Sequence, residues 1–266
     1  MKNKTRLPNI YLGIIIFITY IPILLTVFYS FNKSKISSVW GGFSLDWYKI
    51  LFQDRDIGIA LRNSLILAGI SCFLAAVIGT LGAYGMSKIK SKSNQVIGFM
   101  AVIPIMIPEI ILGMVFLAVF SFIGLPFGMN TLIIAHTTFC VPYVLLNVKA
   151  RLVGMDKSLE EAALDLGASR IRTFFDITLP LVAPAILSGV LLSFAMSFDD
   201  VVISIFVTGP QVNTLPIKIY TKVKTGITPE INALATIILL VTIIVIFASY
   251  RIGKINNYKK IKGEKL

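Results

Sequence analysis

Charge is scarce in this sequence. Of its 266 residues only 14% are Asp, Glu, Lys or Arg, against 56% hydrophobic, whereas a soluble domain carries roughly 25% charge. That deficit excludes an ordinary water-soluble globule. The chain has one histidine, His136, and two cysteines, Cys72 and Cys140, both inside apolar stretches. Thiols so placed read as small buried hydrophobes rather than as a disulfide or a metal site, and no Cys/His ligand cluster forms. No Gly-x-x-x-x-Gly-Lys-Ser/Thr run occurs, so the chain cannot itself cradle nucleotide phosphates. Acids are scarcer than bases, thirteen against twenty-five, for a net charge of +12. The excess Lys and Arg stand at the edges of apolar runs. That is the bias of a membrane protein toward its cytoplasmic side, not a basic face for nucleic acid.

What the sequence does have is long apolar runs separated by charge clusters, the pattern of an all-α membrane protein with one polytopic domain over residues 1–266. Six spans are expected at about 8–29, 59–86, 95–122, 131–150, 181–207 and 231–250. The first follows Lys2, Lys4 and Arg6 like the start of a signal peptide. It is long enough to cross about 30 Å of hydrocarbon and no small-residue cleavage site follows, so an uncleaved span is expected. The third is interrupted by Pro104 and Pro108. Residues 30–58, with Trp40, Gly41, Gly42, Trp47 and Tyr48, read as an outer loop at the water–lipid boundary, and 208–229 as a second outer loop. Three Lys or Arg stand at the N-terminus, three in the 87–94 turn, five in 149–180 and six in the tail, which leaves eight for the other side. Both termini and the 149–180 segment are therefore expected in the cytoplasm.

The polar segment 158–180 has the pattern of a capped elbow. Ser158 and Glu161 have the spacing of a capping box. Leu159, Ala162, Ala163 and Leu166 then recur on one helical face. Gly167 suits the left-handed stop of that helix. Ser169 can cap a second short helix carrying Ile171, Phe174 and Phe175, and Pro180 marks its end or a kink into the fifth span. By pattern alone, such an elbow either docks a partner protein or rests on lipid headgroups.

Carboxylates inside apolar runs are costly and ordinarily face a cavity or a partner. In the fifth run Gly189, Ser193, Ser197, Asp200, Ser204 and Thr208 recur at intervals of three or four and form one small, polar stripe. A water-lined path is the favoured reading, a small-residue packing seam the other. Asp199 points about 100° away from Asp200. Glu109, just after Pro108, either attracts a cation or caps a broken half-helix. Acids along a path favour a cationic solute, with aromatics such as Phe198 adding cation–π attraction. No paired base or nucleophile accompanies these acids, which argues against a membrane-embedded enzyme.

Glu161-Ala162-Ala163, then Gly167, then Ile177-Thr178-Leu179-Pro180 resembles the EAA motif of permease subunits in binding-protein-dependent ABC importers, in its spacing and in its place between the fourth and fifth spans. The resemblance implies a type I ABC importer permease fold. It also implies a coupling helix that sits in a groove of a cytoplasmic ATPase, with Glu161, Ala162, Ala163, Gly167, Ile177, Leu179 and Pro180 as the coupling residues. The exposed acids expected there, Glu160, Glu161 and Asp165, can meet basic partners. Glu161 has both a capping and a docking role open to it.

Farther along, Phe198-Asp199-Asp200-Val201-Val202, Phe206-Val207-Thr208-Gly209-Pro210, Thr214-Leu215-Pro216, Ile219-Tyr220 and Gly226 to Thr236, with Trp47-Tyr48 and His136 to Tyr143, are similar to the spermidine/putrescine permeases of that class. This implies a substrate path that includes Asp199, Asp200, Ser197, Ser193, Phe198 and Glu109. It implies as partners a second, different permease, two ATPase subunits that use ATP and Mg, and an extracytoplasmic polyamine-binding protein. The chain would lie in the plasma or inner membrane, bind no cofactor, and act as no enzyme itself. The same class also serves amino acids, sugars and metal ions, which is the alternative reading. A lone ion channel would need no ATPase elbow.

Overall fold

A computed structural model of the chain describes residues 6–35, 39–89, 92–156, 158–226 and 229–263. Lys2, Lys4, Lys90, Lys265 and Thr228, which entered the charge and loop readings, lie outside the described residues. The described residues fold almost entirely as helices and divide into two units, 1–55 with 221–266, and 56–220.

The first unit holds α1 (Arg6–Tyr29), α2 (Asp46–Gln53) and α12 (Pro229–Gly263), and α12 touches both of the others. Ile10, Phe17, Ile18 and Leu24 on α1 are exposed, as suits a helix solvated by lipid rather than water. Residues 30–35 and 39–45 gather around Asn32. Its side chain donates to Val39 O (2.7 Å) and accepts from Gly41 N (2.8 Å), while its carbonyl accepts Trp47 Nε1–H (2.7 Å). Trp40 stacks on Phe28 at 4.4 Å between ring centres. Asp54, Lys222 and Glu230 form a partly buried cluster with N–O distances of 2.8–2.9 Å. Burial opposes the charge of Lys222, but the hydrogen bonds it donates to Glu230 and Asp54 outweigh this and raise its pKa.

The second unit is built on α3 (Arg55–Lys88), α6 (Met129–Val153) and α9 (Leu179–Asp199), with α4 (Lys92–Met106), α5 (Glu109–Phe122) and α10 (Val202–Val207) around them. Its core includes Leu67, Ala75 and Ala83 of α3, Ala135, Val144 and Val148 of α6, and Val182 of α9. In lipid, apolar side chains gain little by leaving their solvent, so helices associate through close packing of small residues. Two glycines do this against one position: a Cβ at Gly79 would lie 2.9 Å from Val144 Cβ, and one at Gly189 only 2.7 Å from Val144 Cα. The α3 and α9 backbones can press on α6 from two sides only because neither residue has a side chain.

The expected spans are only partly uninterrupted. Among the described residues, four helices are long and apolar enough to cross a membrane: Pro8–Tyr29, Arg55–Lys88, Met129–Val153 and Arg170–Asp199. The expected third span is two helices, α4 and α5, bent by 106° at a break of two residues. Pro108 stands at the start of α5 with an extended ψ of 132°, and it has no N–H with which to continue α4. The fifth is broken as well. Asp200 is extended (ψ 125°) and separates α9 from the short α10. The apolar part of α12 runs over Pro229–Val245 among the described side chains, and the helix continues to Gly263. The segment expected as a second outer loop contains a helix, α11 (Leu215–Thr225), and the one expected as the first contains α2.

Candidate functional site

The elbow forms as two short helices, α7 (Ser158–Asp165) and α8 (Arg170–Thr173), that run through a π turn, Phe174–Thr178, into α9. The Ser158 N–H is taken by Asp156 Oδ1 at 2.9 Å, which corrects the expected capping box with Glu161. An aspartate two residues ahead reaches this N–H through a tight local turn, while a side chain within the helix must fold back on itself. Hydrogen bonds from the Ser158 backbone N–H and hydroxyl hold the Asp156 carboxyl below its ordinary value. Gly167 stops α7 as expected, at φ +86°. Its N–H bonds Leu164 O (2.9 Å) and the Ala168 N–H bonds Ala163 O (3.0 Å), the paired bonds of a Schellman stop. Ser169 caps α8 by accepting Arg172 N–H at 3.3 Å. Pro180 does not end this run. The wider π turn just before it accommodates the missing donor and the ring, so the helix continues to Asp199.

The neighbours Glu160 and Glu161 point different ways. Glu161 and Ala162 are exposed, Ala163, Ile177 and Leu179 are half-buried, and Pro180 is exposed. Leu166, Ile171 and Phe175 add apolar surface to the exposed side of the elbow, Leu166 at 89% exposure. Glu160, expected to be exposed, is buried. Its Oε1 accepts the Thr178 hydroxyl at 2.6 Å and its Oε2 accepts Lys88 Nζ from the end of α3. The helical period could have separated the two glutamates by about 100°. Nothing in the sequence pairs Lys88 with either.

At the break between α9 and α10, a cavity of about 290 Å³ is lined by residues that include Pro104, Glu109, Tyr143, Asp199 and Asp200. Glu109 opens α5 at the bend, and Asp199 closes α9 with its side chain exposed. Asp200 lies at the back, nearly buried. Its Oδ1 accepts Ile203 N–H (3.1 Å), and its Oδ2 accepts both Ser204 N–H (2.8 Å) and the Ser204 hydroxyl (2.7 Å). Asp200 thus holds the first turn of α10. His136, fully buried on α6, bridges Ser197 Oγ (2.8 Å) and Ser204 Oγ (3.0 Å) and lies 3.4 Å from Asp200 Oδ2.

The polar stripe therefore packs as a seam along much of its length. Ser193 donates to Cys140 O at 3.2 Å, Ser197 meets His136, and Gly189 lies on Val144, all against α6. Ser193 and Ser197, expected along a path, are buried here and face α6 because small hydroxyls can bond the backbone and ring of a closely packed helix. Phe198 stacks with Phe194 on another side of α9, with ring centres 5.8 Å apart. The bonding role of His136 was not expected from sequence. Its only signal was being the single histidine in an apolar run. Cys72 and Cys140 are free, buried thiols.

Residues 74–257 match the family of binding-protein-dependent transport system inner membrane components. The chain belongs to this family. It is 40% identical to the spermidine/putrescine transport system permease protein PotC of Haemophilus influenzae, over 96% of this chain and all of that protein. It is 43% identical to the putrescine transport system permease protein PotI of Escherichia coli K12, over 83% of this chain and 81% of that one. Its fold is similar to a chain of a bacterial ABC transporter that imports the acidic polysaccharide alginate, with TM-score 0.74 at 15% identity over 92% of this chain and 94% of that one. It is also similar to a chain of the MetNI methionine ABC transporter, with TM-score 0.62 at 18% identity over 79% of this chain and 97% of that one. The ABC importer permease fold implied by the EAA-like spacing is therefore present. These structural likenesses carry the fold alone, since the transported solutes differ.

Proposed function

We propose that this chain is the membrane-spanning permease subunit of an ATP-driven polyamine importer. It crosses the membrane six times with both termini in the cytoplasm, the broken α4–α5 pair and α12 each serving as one crossing. It pairs with a second permease and with two ATPase subunits that hydrolyse ATP with Mg. An extracytoplasmic binding protein delivers spermidine or putrescine. The observation that carries the reading is full-length similarity to a spermidine/putrescine permease, together with a carboxylate-lined cavity where two interrupted helices meet.

A polyamine is protonated at neutral pH, as amines of ordinary pKa are. Exposed Asp199 and Glu109 attract such a cation across a poorly solvated gap and repel anions. Asp200 contributes charge from behind while it holds α10. The exposed face of α7, Glu161 with Ala162, fits a groove on an ATPase, because small side chains allow close approach and the acid meets basic residues. Closure of the ATPases pushes the elbow, and the π turn and α9 carry the movement toward the cavity.

The reading is tested by uptake of labelled spermidine and putrescine in liposomes holding both permeases, both ATPases and the binding protein. Asp199→Asn and Glu109→Gln should each lower uptake by about tenfold, or ~1.4 kcal/mol, slightly more than one charge contact is worth in bulk water. Unchanged uptake in both variants would remove the cavity from the path. Transport of another solute with indifference to polyamines would overturn the substrate.

A further inference from the structure

The docking face described above leaves Glu160 unexplained. It is a buried carboxylate next to an exposed one, on a helix of only eight residues. Burying an ionised carboxylate is costly unless each oxygen is satisfied. Here both are: Thr178, itself fully buried, donates to Oε1 at 2.6 Å, and Lys88 donates to Oε2. Thr178 belongs to the π turn that leads into α9, and Lys88 is the last residue of α3. One side chain therefore ties α7 to the π turn 18 residues on and to the end of α3 72 residues back. The contact has support on both sides. Lys88 Nζ lies 5.1 Å from the Tyr84 ring centre, and Tyr84 packs on buried Phe174 at 4.6 Å.

Mechanically, α7 is a helix of eight residues that ends at the Gly167 stop. A push on the exposed face of so short a helix, without a cross-link to its neighbours, rotates the helix and is lost. We infer that Glu160 is a positioning residue that clamps the coupling elbow to α3 and to the root of α9, so that movement of α7 is delivered to both helices at once. The inference rests on the proposed docking of α7 to an ATPase. It assigns the two adjacent acids separate work: Glu161 faces the partner, and Glu160 joins the elbow to the membrane helices. Glu160 and Thr178 are buried, where low polarity strengthens their hydrogen bond, and the half-exposed Lys88 closes the network from the end of α3.

The test measures ATP hydrolysed and spermidine accumulated in the same liposomes, with retention of the ATPase subunits checked on the purified complex. Glu160→Gln and Lys88→Met should retain the ATPases and keep binding-protein-stimulated hydrolysis, while spermidine moved per ATP falls about tenfold, within the usual range of coupling between sites. The exchanged pair Lys88→Glu with Glu160→Lys should recover most of that ratio, which a general packing defect would not allow. An unchanged ratio in Glu160→Gln would overturn the clamp. So would loss of the ATPases from Glu160→Gln without recovery in the exchanged pair, since Glu160 would then merely fold the elbow. Glu161→Ala and Gly167→Leu separate the two readings. If both keep ATPase retention and hydrolysis at wild-type level, the docking of α7 fails on its own, whatever the Glu160 ratio shows.

Discussion

Adjacent acids in opposite surroundings recur at two places in the second unit. Asp199 is exposed toward the cavity, while Asp200 is turned inward to receive Ile203, Ser204 and the neighbourhood of His136. Asp200→Ala would strand those buried donors. A hydrogen bond to a charged group is worth about 1.5–3 kcal/mol, so a loss of that order is expected in thermal melts of the purified permease pair. Asp199→Asn should leave the melt unchanged and lower uptake only. Equal melting loss in both variants would mean that the two carboxylates do not divide the roles.

Lys222 allows a pH expectation at the same scale. Its folded pKa is raised above the ordinary 10.5 by Glu230 and Asp54 despite burial. A raised folded value favours the folded state fully below the ordinary pKa, and the benefit disappears as pH climbs through the folded one. Stability from this cluster should therefore be flat from neutral pH to about pH 10 and decline only in stronger alkali. Lys222→Met should melt lower at neutral pH and lack that alkaline decline, which melts across the alkaline range would reveal.

Among the elements, the elbow tolerates change least at Gly167. A residue with a side chain at φ +86° strains the stop by roughly 1–2 kcal/mol. Gly167→Leu should thus weaken ATPase retention on the complex while leaving the membrane helices folded, readable by pull-down beside a melt. Gly189→Leu should do the reverse kind of damage. Its side chain would meet the α6 backbone at Val144, so the helices could not close and the protein should fail to accumulate.

These elements differ in how far their sequence discloses them. The Gly167 stop and the Ser169 cap were legible because each depends on a few adjacent residues and a local bond. The breaks at Pro108 and Asp200 were legible only in part. Two prolines announced the first. The second needs a side chain to turn back onto α10 in place of a continuing helix, and no local pattern forces that. The direction of the polar stripe was not legible, since a row of serines serves a path or a seam equally well. Only the position of α6, with Val144 against Gly189 and His136 against Ser197, decides it. The Glu160–Lys88 pair was hidden for the same reason, because it joins residues far apart in the chain.

At the scale of the whole chain, the proposed function rests on two places in the second unit: an elbow with an exposed acidic and small-residue face, and a cavity where carboxylates gather beside two interrupted helices. Helix α9 runs between them, beginning at the π turn behind the elbow and ending at Asp199. An importer needs a place to receive force and a place to hold its solute, and α9 is the element that reaches both. The most direct measurement is uptake of labelled spermidine into liposomes containing the complete complex, with and without internal ATP, for the wild type and for Glu161→Ala combined with Gly167→Leu. ATP-dependent accumulation in the wild type, displaced by putrescine and lost in the double variant with the permease pair intact, is the expected result. Accumulation that needs no ATP, or that survives in the double variant, would contradict it.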